Sequence, residues 1–214
     1  PVDWYDPNTQ NLVDQVSIAE RRVYGNGRHK VMLVDCGVKY NIIRSLLKYD
    51  TTVIRVPWDY DYSGDAYDGL FITNGPGDPA ICKPAIQHLE HAMGEDRPIF
   101  GICLGSQLLG LASGAETYKL KYGHRSHNQP VVEEGTNRCY ITSQNHGFAV
   151  DHTRLKGEYV PYFINLNDQT CEGIRHRTKP FFSTQFHPEA SGGPTDTSFL
   201  FERFIESIQH SKSS

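Results

Sequence analysis

Residues 98–111 read Pro98-Ile99-Phe100-Gly101-Ile102-Cys103-Leu104-Gly105-Ser106-Gln107-Leu108-Leu109-Gly110-Leu111. Pro98 to Ile102 has the apolar run of a short buried strand, and Leu104 to Leu111 that of a helix. One residue, Cys103, is left to make the corner between them. Glycine stands two positions before it and two after it, the spacing of a nucleophile elbow. The turn in such an elbow is tight enough that side chains at those two positions would meet neighbouring backbone, which is why glycine is used. The corner residue is held out over the first turn of a helix, where the backbone dipole favours a thiolate over a thiol.

The pattern continues on both sides. Lys30 to Asp35 is an unbroken apolar run of the kind found in strands covered on both faces. Tyr40 to Tyr49 sets Ile42, Ile43, Leu46 and Leu47 on one helical face and Arg44 and Lys48 opposite. Thr51 to Val56 is rich in β-branched residues and stops at Pro57. Gly69 to Thr73 is a further strand, running into Asn74-Gly75-Pro76-Gly77-Asp78-Pro79, and Pro84 to Met93 reads as a helix. Strands alternating with helices predict an α/β fold with a mostly parallel central sheet flanked by helices. Ligands of such sheets bind beyond the carboxyl ends of the strands, where both the Gly75–Gly77 loop and Cys103 fall.

From Tyr118 the texture changes. Val131-Val132, Cys139 to Thr142, Phe148 to Val150, Tyr159 to Ile164, Gly173 to His176 and Phe181 to Phe186 read as strands separated by turns. These predict antiparallel strand additions to the parallel sheet. Thr197 to Gln209 is an amphipathic helix with Leu200, Phe201, Phe204, Ile205 and Ile208 inward. The expected organisation is a polar, irregular leader or linker over residues 1–29 that packs on the domain, one domain over 30–209, and a Ser-rich tail over 210–214. The polar start at Pro1 lacks a methionine and is not a signal peptide, so a fragment or processed chain is expected.

Composition narrows the function classes. The 214 residues suffice for one large α/β domain. Mean hydropathy is −0.51, and the chain has no run of about 18 apolar residues, so no membrane helix and no membrane partner are expected. A net charge of −4 without a basic cluster argues against nucleic acid. Five cysteines are scattered singly with no CxxC, which suggests neither a zinc site nor a disulfide framework and fits a reducing, cytoplasmic setting.

A thiolate nucleophile needs a base and a group that orients it. Phe181 to Phe186 delivers His187-Pro188-Glu189, where Glu189 supports the imidazole from an extended backbone or through a local turn set by Pro188. Asn74-Gly75-Pro76-Gly77 is a β-turn or a source of a backbone N–H for an oxyanion; the second donor of an elbow is the N–H after the nucleophile, here Leu104. Ser143-Gln144-Asn145-His146-Gly147-Phe148 is a polar hairpin turn or a surface for an amino-acid headgroup.

Taken together, GICLGSQ, FHPE, NGPGDP and SQNHGF resemble the motifs of class I glutamine amidotransferases. More narrowly, Asn74-Gly75-Pro76-Gly77-Asp78-Pro79, Gln144-Asn145-His146-Gly147-Phe148 and His127-Asn128-Gln129-Pro130 are similar to the glutaminase domain of glutamine-dependent carbamoyl-phosphate synthetases. Val56-Pro57-Trp58-Asp59 and Tyr122-Gly123-His124-Arg125 resemble its fused, eukaryotic type in pyrimidine synthesis. The resemblance runs from about Lys30 to Ile208. It implies that Cys103 attacks the side-chain amide of glutamine, that His187 moves the protons and Glu189 orients it, and that the N–H groups of Gly77 and Leu104 hold the oxyanion. It implies a glutamine pocket lined by Gly75, Gly77, Leu104, Gln107, Asn145, Gly147 and Phe148, with no metal or cofactor in this domain. The implied partners are L-glutamine and a fused synthetase domain that uses ATP and bicarbonate. Two departures stand out. Ser106 replaces the histidine usual after the second glycine of the elbow, and the family's separate N-terminal domain, with one pocket residue, lies outside these 214 residues. The competing readings are an amidotransferase serving another synthase, a non-catalytic regulatory module and a cysteine peptidase on a related fold.

Overall fold

The computed structural model describes residue 6 and residues 9–212. The unbroken apolar runs form strands buried on both faces: β2 (His29–Asp35), β3 (Thr51–Pro57), β4 (Gly69–Ile72) and β5 (Ile99–Ile102). With β10 (Phe181–Thr184) they pair in parallel, in the order β3-β2-β4-β5-β10.

Alternation along each strand splits the core in two. Val31, Leu33, Phe71 and Phe100 face one side with α2 (Tyr40–Leu46) and α5 (Phe199–Ser211). Met32, Val34, Leu70 and Ile99 face the other with α3 (Lys83–Ala92) and α4 (Leu104–Ala112). The first side is an aromatic stack: Phe71 lies 5.0 Å from Phe100 and 6.0 Å from Phe201, and Phe100 lies 4.5 Å from Phe182.

Among the described residues the sheet has ten strands, and only those five are parallel, so "mostly parallel" overstates its order. β1 (Arg22–Tyr24) closes one edge antiparallel to β3. Beyond β10 the other half is antiparallel throughout: β9 (Cys171–His176), β7 (Cys139–Asp151), β6 (Glu116–Glu133) and β8 (Tyr159–Asn165). The physical reason lies in the connections and the faces. Parallel neighbours need crossovers of a dozen or more residues, whereas β6 and β7 are joined by a tight turn at Gly135. Residues 116–133 are also mostly exposed or half-buried, which an antiparallel sheet with one wet face tolerates. The two short strands expected at 139–142 and 148–150 are one continuous strand, β7, and Ser143–Phe148 is its interior rather than a hairpin turn.

The residues before β2 are less irregular than their composition implies. α1 (Leu12–Val16) buries Val13, and Asp14 accepts a 3.2 Å hydrogen bond from the Trp58 indole. Asp35, at the end of β2, holds this segment down. Its Oδ2 accepts from the Ile18 N–H (2.8 Å) and from Nη2 of buried Arg55 (2.7 Å). Its Oδ1 accepts from the N–H groups of Gly37 and Val38, which fixes the loop leading to Lys39. At the other end α5 continues through Ser211, so the expected tail begins as helix; Ser213 and Ser214, and most of the polar start at Pro1–Asp6, lie outside the described residues.

Candidate active site

β5 ends at Ile102, α4 begins at Leu104, and Cys103 turns the corner with φ 54° and ψ −104°. This is a sparsely populated conformation for a side-chain-bearing residue and stores on the order of 1–3 kcal/mol. The flanking glycines are required by contact. A Cβ on Gly101 would lie 2.5 Å from the Gly105 carbonyl oxygen, and one on Gly105 would lie 2.3 Å from that of Ile72. The Cys103 N–H donates to the Thr184 carbonyl at 2.8 Å. That bond continues the parallel β5–β10 register, in which Ile102 faces Thr184. The chain leaving β10 therefore emerges beside Cys103, and His187 follows three residues later.

His187 is 4% exposed and its own N–H donates to the Ser143 carbonyl of β7. Nδ1 lies 2.7 Å from Oε1 of buried Glu189, leaving Nε2 for the cysteine side. The Glu189 carboxylate reaches the imidazole through a local turn: Ala190 N–H donates to the His187 carbonyl across Pro188. Asn41 donates its amide to the Glu189 carbonyl. Lys39, absent from the residues selected by sequence, places Nζ 3.2 Å from the same Oε1 and 3.1 Å from His187 Nδ1. Its place after a β2 loop at the carboxyl end of the sheet was the available signal. Burial works against the Glu189 charge, but His187 and Lys39 outweigh it and hold the carboxyl below its usual range.

Burial is the largest influence on the His187 imidazole and disfavours its charge. The adjacent Cys103 sulfur and Glu189 outweigh it and push His187 up from 6.5 to about 9. The folded value lies above the ordinary one. The imidazolium therefore contributes fully to stability below about 6.5 and that contribution is lost as pH rises through about 9. An NMR titration should place the His187 midpoint near 9. In Cys103→Ala the midpoint should fall, because the strongest upward influence is removed. An unchanged midpoint would mean that the two groups do not interact.

Cys103 lines two adjoining cavities. One, of about 110 Å³, is bounded by Gly75, Pro76, Gly77, Cys103, Gln107, Arg125, Asn145, His146, Gly147 and Phe148. The other, of about 280 Å³, adds Lys39, Asn74 and His187. Every residue expected to line a substrate pocket borders the first cavity except Leu104, whose side chain packs into the core. Leu104 opens α4, so its N–H has no partner within the helix. The next N–H, of Gly105, is taken by the Thr73 carbonyl at 3.1 Å. Gly77 has φ +86°, a conformation that suits glycine. A larger cavity, about 730 Å³, lies at the amino ends of β4, β5 and β10 and is lined by neither cysteine nor histidine; Asp68, Arg97 and Pro180 are among its walls. It is at the wrong end of the strands for this chemistry.

The pocket wall on β7 is braced from behind. Phe148 O accepts from Gln107 Nε2 at 3.0 Å and from His146 Nδ1 at 2.8 Å. Behind His146 lie His124 and Glu172, with ligand-capable atoms of all three within 4.8 Å of one another. The Glu172 hydrogen bond is the main influence raising His124; burial opposes it, Asp168 adds to it, and the result is about 9. His124 is thus an imidazolium between two carboxylates, 3.0 Å from Glu172 and 2.8 Å from Asp168. Sequence spacing alone did not reveal this network, since its members come from three strands and a turn. Ser106 is buried, with its hydroxyl 2.8 Å from that of Ser183 on β10. Its departure from the family pattern therefore bears on helix–sheet packing and leaves the cavity walls untouched.

The profile described as glutamine amidotransferase class-I matches residues 32–207. The chain is 55% identical over 204 residues to "Multifunctional protein CAD" of Squalus acanthias, covering 94% of this chain and 9% of that protein. It is 48% identical over 215 residues to "Carbamoyl-phosphate synthase [ammonia], mitochondrial" of Homo sapiens (99% and 14%). It is 46% identical over 226 residues to "Multifunctional protein URA2" of Saccharomyces cerevisiae (98% and 10%). The chain thus spans about a tenth of the length of these curated relatives. The crystal structure of a candidate GMP synthase component from Thermoplasma acidophilum superposes with a TM-score of 0.74 at 24% identity, over 89% of this chain and 98% of that one, and so shares the fold.

Proposed function

We propose that this chain, which belongs to the class I glutamine amidotransferases, hydrolyses L-glutamine to glutamate and ammonia through a thioester on Cys103. The observation that carries the reading is the continuous line of groups from Cys103 through His187 to Glu189, opening on a cavity free of acidic residues. The thiolate adds to the side-chain amide carbon, and the oxyanion forms against the N–H groups of Leu104 and Gly77. His187 gives its Nε2 proton to the amide nitrogen, the C–N bond breaks, and ammonia leaves with a γ-glutamyl thioester behind. Acylation removes the sulfur's negative charge, the strongest influence raising His187. The imidazole then accepts a proton from water, whose oxygen attacks the thioester carbon. Cleavage of the C–S bond releases glutamate and restores the thiolate.

The ammonia serves carbamoyl phosphate formation by an ATP- and bicarbonate-using synthetase fused to this domain, within pyrimidine synthesis. Support comes from the relatives' names and from how small a part of each relative the chain matches. We place the activity in the cytoplasm. All five cysteines are unpaired, and among the described residues no helix is long and apolar enough to cross a membrane.

A glutamine-mimicking diazoketone tests the site directly. Mass spectrometry should find one adduct per chain, on Cys103, with Cys36, Cys82, Cys139 and Cys171 untouched and L-glutamine protecting. No adduct on Cys103, or labelling spread over the other thiols, would favour the non-catalytic module.

A further inference from the structure

We propose that Arg125 is the carboxylate anchor of the pocket, so that the site accepts a free α-amino acid and rejects a glutaminyl residue whose carboxyl is locked in a peptide bond. The inference rests on the reading in which the cavity beside Cys103 holds glutamine.

Among the side chains bounding that cavity Arg125 alone carries a permanent charge, and no Asp or Glu is among them. A free amino acid brings a carboxylate that must be neutralised when it leaves water. Arg125 sits directly opposite Asn145 in the β6–β7 ladder, so the two side chains share a face, and Asn145 borders both cavities at Cys103. The register of β6 shifts between Lys119 and His124, just before Arg125, an irregularity of the kind that re-aims side chains.

The guanidinium is also held in place. Nη1 donates to the Tyr122 carbonyl. Gly123, at φ +70°, makes room: a Cβ there would lie 2.4 Å from Nη1. On the other strand a Cβ on Gly147 would lie 3.6 Å from Nη2, so the guanidinium rests over a glycine of the pocket wall. Among the described residues Arg125 forms no ion pair, whereas buried Arg55 is committed to Asp35. The tether leaves guanidinium N–H groups for the planar, two-pronged grip on a carboxylate that arginine makes and an amide cannot return.

Kinetics on the 214-residue chain test this with two substrates: L-glutamine, and L-glutaminamide, which carries an α-carboxamide. Arg125→Gln should raise KM for L-glutamine by about 10- to 100-fold, as expected for losing a hydrogen-bonded ion pair, with kcat within about 3-fold. KM for L-glutaminamide should be the same in both proteins, and Arg125→Lys should recover part of the loss. The anchor is refuted if Arg125→Gln keeps the wild-type KM for L-glutamine, or if both substrates weaken equally. Wild-type chain that releases no glutamate from L-glutamine would remove the glutaminase reading itself, and the anchor with it. Wild-type activity with an indifferent Arg125→Gln removes the anchor alone.

Discussion

Cys103→Ala should lose glutamate release from L-glutamine by on the order of 10⁴-fold or more, because no other group near His187 can form the thioester. The loss should fall on kcat, since Gln107, Asn145 and the glycines that border the cavity remain. Equal rates for wild type and Cys103→Ala would end the covalent account. A second consequence concerns stability. The corner at φ 54°, ψ −104° strains any residue with a Cβ by roughly 1–3 kcal/mol, and glycine relieves it at an entropic cost of about 0.5–1 kcal/mol. Cys103→Gly should thus be inactive yet more stable to urea than Cys103→Ala by about 1 kcal/mol. The opposite order would show that the elbow is not strained.

Gly105→Ala should be destabilised by about 2–4 kcal/mol and lose activity with it. Two effects oppose each other here. Alanine in place of glycine inside a helix gains about 1 kcal/mol from propensity. The new Cβ, however, would stand 2.3 Å from the Ile72 carbonyl oxygen and 2.8 Å from its carbonyl carbon. That backbone belongs to β4, which is paired on both sides and cannot yield. α4 would have to shift, and with it the Leu104 N–H. Gly110, in the same helix, is the control: its Cβ would meet only the Val150 side chain, at 2.8 Å, so Gly110→Ala should cost far less. Thermal melts of the two variants decide the matter. A Gly105→Ala protein as stable as wild type would mean that the helix start tolerates displacement and that the elbow is not rigid.

Much of this was legible before the structure. The apolar runs at 30–35, 69–73 and 98–102 became strands because a segment apolar at consecutive positions can only be satisfied with both faces covered. Of the residues chosen by sequence, Gly75, Gly77, Cys103, Gln107, Asn145, Gly147, Phe148 and His187 border one pair of cavities, with Glu189 behind His187 and the Leu104 side chain in the core. What escaped was relational. Lys39 and Arg125 are ordinary basic residues in their own neighbourhoods and matter only for what stands across from them. The His124–Glu172–His146 cluster joins three strands whose order in the sheet does not follow the chain. The segment before β2 looked irregular because a three-residue edge strand carries almost no periodic signal.

Local chemistry, written into the order of residues, determined the elbow: a strand, a helix and two glycines mark the corner at Cys103. The need for glycine at 101 comes from the Gly105 carbonyl four positions on, whereas the need at 105 comes from Ile72 of β4. The folded chain decided the rest. His187 comes to the thiol because β10 returns beside β5 after the antiparallel wing is complete. Which end of the imidazole is free, which lysine shares its carboxylate and which guanidinium overlooks the cavity depend on distances between strands. Those distances are set by pairing across the sheet, and no spacing along the chain encodes them.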